Sequence, residues 1–179
     1  MSEHHQPNLG PTRRFITTHD DNGLAVFNND ISSDLSTQNI PTGDKLSLAY
    51  ATDQLPVDLA KDLGTYHYYL TNSPGFTIAG GTVLCQIDMA PGSNAPFHRT
   101  RSLDYCVVIE GTVRLVLDSG EVKTLQRGDM AIQRGTKHSW RNASMTEWAR
   151  MLFVLQDSLP VEVNGRTLEE DFGGMGSSQ

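Results

Sequence analysis

Hydrophobic positions along the chain fall in short runs rich in Val, Ile, Leu, Thr and aromatic residues, and Gly, Pro, Asn and Asp separate the runs. From Tyr66 onward these runs recur about every ten residues. Such spacing is typical of antiparallel strands joined by tight turns, for example at Pro91-Gly92 and Glu110-Gly111. The chain is therefore predicted to be all-β, either an antiparallel sandwich or a small barrel.

The pattern predicts twelve strands and very little helix. The predicted strands are Arg13–His19, Leu24–Phe27, Leu46–Thr52, Thr65–Leu70, Phe76–Ala79, Thr82–Met89, Leu103–Glu110, Thr112–Asp118, Glu121–Leu125, Asp129–Gln133, His138–Asn142 and Glu147–Leu155. One segment, LPVDLAKDLG, predicts a helical turn that Gly64 closes.

Composition narrows the classes of function. The 179 residues suit one domain with short extensions, and the net charge of −7 argues against nucleic-acid and anionic-membrane partners. No apolar run approaches the roughly 20 residues of a membrane helix, and the polar start does not resemble a secretion signal. The two cysteines, Cys85 and Cys106, have no metal-binding or redox spacing. These features predict a cytoplasmic protein.

The candidate chemistry lies in two glycine-framed segments. In PGSNAPFHRTRSLDYCVVIEG, five residues separate Gly92 from His98, Thr100 follows, and three further residues separate Thr100 from Asp104, with Gly111 at the end. His98 and Thr100 have the same parity, so on a strand both side chains would point to one face.

The second segment, GDMAIQRGTKHSWRN, contains Gly135, His138 and Asn142 in the spacing G-x2-H-x3-N. Together the two segments resemble the cupin superfamily, whose motifs are G-x5-H-x-H-x3/4-E-x6-G and G-x5-P-x-G-x2-H-x3-N. The resemblance covers roughly Thr82 to Asp157. In detail the chain is similar to single-domain cupins of fungal and bacterial natural-product gene clusters.

The resemblance implies a single-domain cupin, a jelly-roll β-barrel with an N-terminal extension. Residues 1–64 would form that extension, residues 65–160 the barrel, and residues 161–179 a C-terminal segment and tail. Cupins of this size are commonly homodimers, so a homodimer that binds a small-molecule substrate is expected.

In similar cupins, three histidines and one glutamate hold a divalent metal in the barrel mouth. Carried over to this chain, His98, Asp104 and His138 fall on ligand positions, and Thr100 stands where the second histidine would be. Two interpretations remain open. These three residues bind Zn, Fe, Mn or Ni with open positions for substrate, or they act without metal as a general acid–base set.

Four further residues are candidates for contact with the substrate. Thr100, Cys106 and Trp140 share the parity of the site residues on their strands, and Tyr68 belongs to the aromatic cluster Tyr66–Tyr69. Each also has an ordinary structural interpretation: an inert buried thiol for Cys106, barrel filling for Trp140, and core or dimer packing for Tyr68.

The resemblance implies an enzyme of small-molecule metabolism that acts on a polyketide-like or aromatic compound. We expect non-redox chemistry of the lyase or isomerase type: isomerisation, dehydration, decarboxylation or cyclisation, with His98, Asp104 and His138 as catalytic residues. The alternatives are an Fe(II)-dependent dioxygenase and a non-catalytic cupin that binds a small molecule.

Overall fold

The computed structural model describes residues 9–175, and within this range every regular element except one short helix is a strand, which confirms the all-β prediction. The elements in chain order are β1 Thr17–His19, β2 Ala25–Phe27, β3 Gln38–Asn39, β4 Lys45–Thr52, α1 Asp62–Tyr69, β5 Thr82–Met89, β6 Ser102–Glu110, β7 Thr112–Leu117, β8 Val122–Gln126, β9 Met130–Arg134, β10 His138–Asn142, β11 Ala149–Asp157, β12 Glu162–Val163 and β13 Arg166–Thr167.

Two antiparallel sheets form the barrel. The larger sheet has the strand order β3-β4-β5-β11-β6-β9, and the smaller has the order β10-β7-β8. In the larger sheet, Phe153 of β11 lies between Cys85 of β5 and Cys106 of β6. All three side chains are buried, so this row of the sheet belongs to the core.

Alternation along the strands decides which side chains face the interior. In β11, Met151, Phe153 and Leu155 are buried, whereas the intervening Leu152 and Val154 are half-buried on the outer face. Side chains of a strand point alternately to opposite faces, so one register of apolar residues lines the interior. The same alternation places Asp104 of β6 inside.

Gly111 makes the turn between β6 and β7 possible. Its φ is +82°, and a Cβ at this position would lie 2.9 Å from Cβ of Ala149. A residue with a side chain rarely adopts this φ, and its Cβ would also be too close to Ala149. Glycine is therefore required here. The last glycine of the first sequence motif therefore serves the fold.

The N-terminal region is held on the barrel through α1. Arg14 donates a hydrogen bond to the hydroxyl of Tyr66 at 2.8 Å, and that hydroxyl donates to the carbonyl of Leu48 at 3.1 Å. Tyr50 donates to the carboxylate of Asp62 at 2.6 Å. Strands β3 and β4 of this region also extend the larger sheet.

The prediction of a strand at Thr65–Leu70 is wrong, because α1 occupies Asp62–Tyr69. The helical turn expected to end at Gly64 instead continues through it. The aromatic residues favour strands by propensity, but the helix places Asp62 and Tyr66, four residues apart, on one buried face. The proposed boundary between residues 64 and 65 falls inside this helix.

Residues Phe76–Ala79 are also not a strand. Here the ring of Phe76 stacks on two other aromatic rings, and the chain then turns, with the Gly81 amide donating to the carbonyl of Ile78 at 2.9 Å. Tertiary contacts thus override the local propensity. The two-residue strands β3, β12 and β13 were not predicted, since such short pairings leave no periodic pattern.

Within residues 9–175, the structure has no helix with the length and apolar character needed to cross a membrane.

Candidate functional site

A cavity of about 720 Å³ lies between strands of the barrel, α1 and the C-terminal segment. Most of its wall is apolar, and the principal wall residues are Leu46, Leu48, Val83, Cys85, Ile87, Met89, Phe153 and Leu155. A volume of this size suits a small organic molecule, and apolar walls with few polar groups are typical of ligand pockets. The few polar groups that reach the cavity are therefore the groups that can orient a ligand.

Two histidines face each other in the cavity wall. The segment before β6 pairs with β10, so that the backbone amides of His98 and His138 donate to each other's carbonyl oxygens, both at 2.9 Å. This direct pairing brings the ring centroids within 4.3 Å, with 53° between the ring planes. The glycine-framed spacing of both motifs thus converges on one pair of imidazoles.

The two rings are oriented in the same way. Nδ1 of His98 lies 2.9 Å from the carbonyl oxygen of Pro96, and Nδ1 of His138 lies 2.9 Å from that of Thr136. A carbonyl oxygen can only accept a hydrogen bond, so each Nδ1 carries the proton. In the neutral ring, Nε2 is then a hydrogen-bond acceptor.

Burial keeps both imidazoles neutral near pH 7. Desolvation lowers the pKa of His98, although the Pro96 carbonyl and Asp171 partly oppose this effect. Desolvation, together with repulsion from His98, lowers the pKa of His138 to about 4. A positive charge on either ring would lie beside the other ring in a largely apolar space. The pair is therefore suited to accept a proton or a hydrogen bond from a ligand.

Asp104 adds a carboxyl group to the same cavity. It is only 4% exposed, and its Oδ1 has no hydrogen-bond partner among the described residues. Desolvation raises the pKa of Asp104 to about 6, and the nearby Ser102 hydroxyl partly opposes this shift. Ser102 in turn donates to the hydroxyl of Thr100 at 2.7 Å. Asp104 can therefore exchange a proton near neutral pH.

The structure brings five of the seven predicted site residues to the cavity: His98, Thr100, Asp104, His138 and Trp140. Trp140 packs edge-on against His138 and against Phe153, with ring centroids 6.2 and 5.9 Å apart. Its place on β10, two residues after His138, directs both side chains to the interior.

The other two predicted contacts do not line the cavity. Cys106 is 1% exposed and packed in the core, and Cys85, on the far side of Phe153 in the sheet, lines the cavity instead. Tyr68 is 59% exposed because the helix turns it outward, while the adjacent Tyr69 reaches the wall. Cys106 keeps the inward parity of Asp104 but is covered by the core, whereas Tyr68 points outward because the segment is a helix and not a strand.

Residues distant in sequence complete the cavity. The ring of Phe76 stacks on His98 with centroids 6.3 Å apart and on Phe172 with centroids 5.7 Å apart. Asp171 fixes the C-terminal segment through an ion pair with Lys137 at 2.6 Å. No local sequence pattern predicts these contacts, because they depend on how segments distant in sequence pack against the barrel.

The donor set does not fit the metal centre that the resemblance implies. The hydroxyl of Thr100 replaces an imidazole and is already bonded to Ser102. The part of the chain between residues 9 and 175 contains no group of three His, Cys, Asp or Glu side chains that could hold one metal ion. Nε2 of His98 and of His138 can offer two ligands, fewer than a stable site of this kind needs.

The barrel of two antiparallel sheets, with its cavity and glycine-framed histidines, defines a cupin. A cupin-domain family model matches residues 86–155, which span β5 to β11, and the chain belongs to the cupin family. Among solved structures, the cupin domain of Schizosaccharomyces pombe Cnp3 has the same fold. Its TM-score is 0.51 at 10% identity, over 82% of this chain and 88% of that domain.

Fungal proteins of natural-product gene clusters are homologous to the whole chain. Phomopsin biosynthesis cluster protein C′ of Diaporthe leptostromiformis is 49% identical, over 90% of this chain and 87% of that protein. The cupin-domain-containing oxidoreductase fogC of Aspergillus ruber is 39% identical, over 96% of this chain and 85% of that protein.

These relatives correct the predicted reaction type. Cupins of Hypocrea virens and Neurospora crassa, between 32% and 38% identical to this chain, are also named cupin-domain-containing oxidoreductases. The expectation of a lyase or isomerase is therefore wrong. It was based on the incomplete ligand set, which says little about reaction class because one fold and one pocket support several chemistries.

Proposed function

We propose that this protein is an oxidoreductase of fungal secondary-metabolite biosynthesis that acts on a small, mainly apolar substrate in the barrel cavity. The observation that carries the proposal is the buried pair of His98 and His138, since it supplies proton acceptors in a cavity of substrate size. The names of the relatives support redox chemistry in such pathways.

The proposed chemistry assigns proton handling to the chain's own residues. Two-electron oxidation of a hydroxyl or an acidic C–H group of the substrate passes the electrons to an external oxidant, either a hydride acceptor or dioxygen, and releases protons. Nε2 of His138 or His98 accepts one of these protons, because each ring holds its own proton on Nδ1. Asp104, with its pKa near 6, takes up or returns a proton in the same cavity.

The walls and the aromatic residues hold the substrate. The apolar side chains exclude water from the reacting atoms, which strengthens every polar contact inside the cavity. Phe76 stacks on His98 and also on Phe172, which connects the C-terminal segment with this part of the wall. Since the donor set does not fit a three-ligand centre, no step is assigned to a metal. The divalent metal remains a prediction. Measuring the metal content of the purified protein would test it.

The test compares metabolites of the source organism with and without the gene. We expect the deletion strain to accumulate a compound that differs from the missing product by two hydrogen atoms or one oxygen atom. Two hydrogen atoms would identify an electron or hydride acceptor as oxidant, and one oxygen atom would identify dioxygen. High-resolution mass spectrometry gives both formulae.

Variants connect the reaction with the cavity. The wild-type gene and His67→Gln, which changes an exposed histidine of α1, should restore the product, whereas His138→Gln should not. Two compounds of equal formula, or differing only by water or carbon dioxide, would contradict the proposal. An unchanged profile in the deletion strain would contradict it as well.

A further inference from the structure

The polar atoms that His98 and His138 present to the cavity are both acceptors. Each ring uses its Nδ1 proton on a backbone carbonyl two residues earlier, Pro96 or Thr136, at 2.9 Å. The two Nε2 atoms therefore lie on adjacent rings without protons of their own. A ligand group that donates a hydrogen bond satisfies them, whereas a group that only accepts does not.

Among the described residues, the charged side chains of the wall are acids, and its buried donor without a partner is the neutral indole N–H of Trp140. Asp104 contributes a carboxyl group that has no ion pair among the described residues, and its Oδ1 lacks a hydrogen-bond partner. Asp44, also in the wall, already accepts hydrogen bonds from the Ala90 amide and the Ser93 hydroxyl, both at 2.8 Å. Asp104 is thus the wall carboxylate left for a ligand.

No lysine or arginine from residues 9–175 lines the cavity. The nearest candidates in sequence are engaged elsewhere: Arg99 donates to the Glu169 carbonyl, Arg101 pairs with Asp157 at 3.7 Å, and Lys137 pairs with Asp171. A carboxylate or phosphate in this cavity would lose its hydration without gaining a cationic partner, which is costly.

We propose that the cavity selects neutral substrates that carry a hydroxyl group, a phenol or an alcohol, on an apolar body, and that it rejects carboxylates and phosphates. The hydroxyl donates its hydrogen bond to Nε2 of His98 or His138, and the apolar walls enclose the rest. This inference rests on the proposed function, since it names the substrate class of the same site, and it places the reacting hydroxyl beside the proton acceptors.

Three probes of nearly equal shape test the inference: naphthol, its methyl ether and naphthoate. The ether removes the donated hydrogen bond, and naphthoate replaces the hydroxyl by a negative charge. Isothermal titration calorimetry on the wild-type protein near neutral pH should give naphthol at least about a tenfold lower Kd than either of the other two, because an unsatisfied buried acceptor is costly.

A matched pair of variants locates the effect. His98→Phe keeps a ring and removes one acceptor, so the preference for naphthol over its ether should fall several-fold, while His67→Gln on the exposed side of α1 should keep it. The comparison of probes needs only the wild-type protein and remains decisive if His98→Phe does not fold.

Equal binding of naphthol and its ether, tighter binding of naphthoate, or no binding of any probe would overturn the inference. These measurements follow binding without turnover, so they separate two failures. A protein that prefers naphthol but changes no metabolite by a redox step would contradict the proposed function alone. A redox enzyme without this preference would contradict only the inferred substrate class.

Discussion

Two buried aspartates on opposite faces of the larger sheet differ in their hydrogen bonds and in their cationic partners. Asp88 of β5 accepts two hydrogen bonds from the Arg150 guanidinium, both at 2.7 Å, and one from the Gln86 amide at 3.2 Å. Asp104 of β6 is buried to a similar degree, yet it has no cationic partner among the described residues.

The difference separates a polar residue that stabilises the fold, Asp88, from one that faces the cavity, Asp104. The Asp88–Arg150 pair also reaches the N-terminal segment, since Arg150 donates to the Gly10 carbonyl at 2.8 Å. It therefore holds chain segments together. Asp104 holds no segment, costs free energy when ionised, and faces the cavity with His98 and His138. Of these two aspartates, the paired one serves the fold, and the unpaired one lies in the wall of the cavity.

The largest effect should follow from breaking the satisfied pair. Arg150→Met leaves Asp88 buried without its cation, and removing one partner of a buried pair typically costs about 3–5 kcal/mol of unfolding free energy. Urea unfolding should show this loss in Arg150→Met and almost none in Arg166→Met, which changes an exposed arginine of β13. Equal midpoints for the two variants would show that the pair contributes little.

A smaller effect of opposite sign is expected at Asp104. Its pKa is raised from 3.8 to about 6. Between these values the folded state keeps a proton that the unfolded state has lost, so this group makes the protein less stable as pH rises. Relative to the wild type, Asp104→Asn should therefore gain up to about 3 kcal/mol of unfolding free energy between about pH 4 and pH 7.

The measurement for Asp104 is urea unfolding of both proteins at the two pH values. The free-energy cost of burying the asparagine amide in Asp104→Asn is the same at both pH values. The informative quantity is therefore how the difference in unfolding free energy between the two proteins changes with pH. A difference between the proteins that does not depend on pH would mean that Asp104 is not the unpaired acid described above.

Asn142 provides a third comparison, because both its amide nitrogen and its amide oxygen form hydrogen bonds. Its amide donates to the carbonyls of Met89, Ala90 and Glu147 at 2.8–3.1 Å. Asn142→Ala leaves buried carbonyls unpaired and should lower the unfolding free energy by about 1–3 kcal/mol. In thermal unfolding, Asn29→Ala, at an exposed site with one weak bond, should stay near wild type. Similar losses in both would contradict this role.

The smallest effect concerns the closure of the cavity. Phe172→Ala removes the ring that stacks on Phe76 at 5.7 Å, and an aromatic pair contributes about 0.5–1.5 kcal/mol. The Kd for naphthol should rise roughly two- to tenfold by calorimetry. Phe15→Ala removes a comparable pair with Phe27, outside the cavity, and should leave the Kd unchanged. A wild-type Kd in Phe172→Ala would show that the stack does not contact the ligand region.

The sequence predicted the parts of the molecule that depend on local pattern. Alternation and turn glycines located the central strands, and the motif spacing placed His98, Asp104 and His138 on one cavity. The helix at Asp62–Tyr69 escaped prediction, because its aromatic residues favour strands and only the buried contacts of Tyr66 select the helix.

The remainder of the site depends on long-range contacts. Phe76 stacks on both His98 and Phe172, although nearly a hundred residues separate the two phenylalanines along the chain. The ring orientations of the histidines are likewise set by the Pro96 and Thr136 carbonyls, which no motif specifies. Within residues 9–175 the wall contains no lysine or arginine, and Lys137, close to His138 in sequence, pairs with Asp171 instead.

The most direct test of the account is the protonation state of the histidine pair. Nitrogen NMR of the isotopically labelled imidazoles distinguishes Nδ1–H from Nε2–H rings, and His98→Phe and His138→Gln assign the signals. The account predicts that both rings are neutral near pH 7, with the proton on Nδ1 and a bare Nε2 that responds when naphthol binds. A proton on Nε2 of either ring, or a doubly protonated ring, would contradict the acceptor-lined cavity.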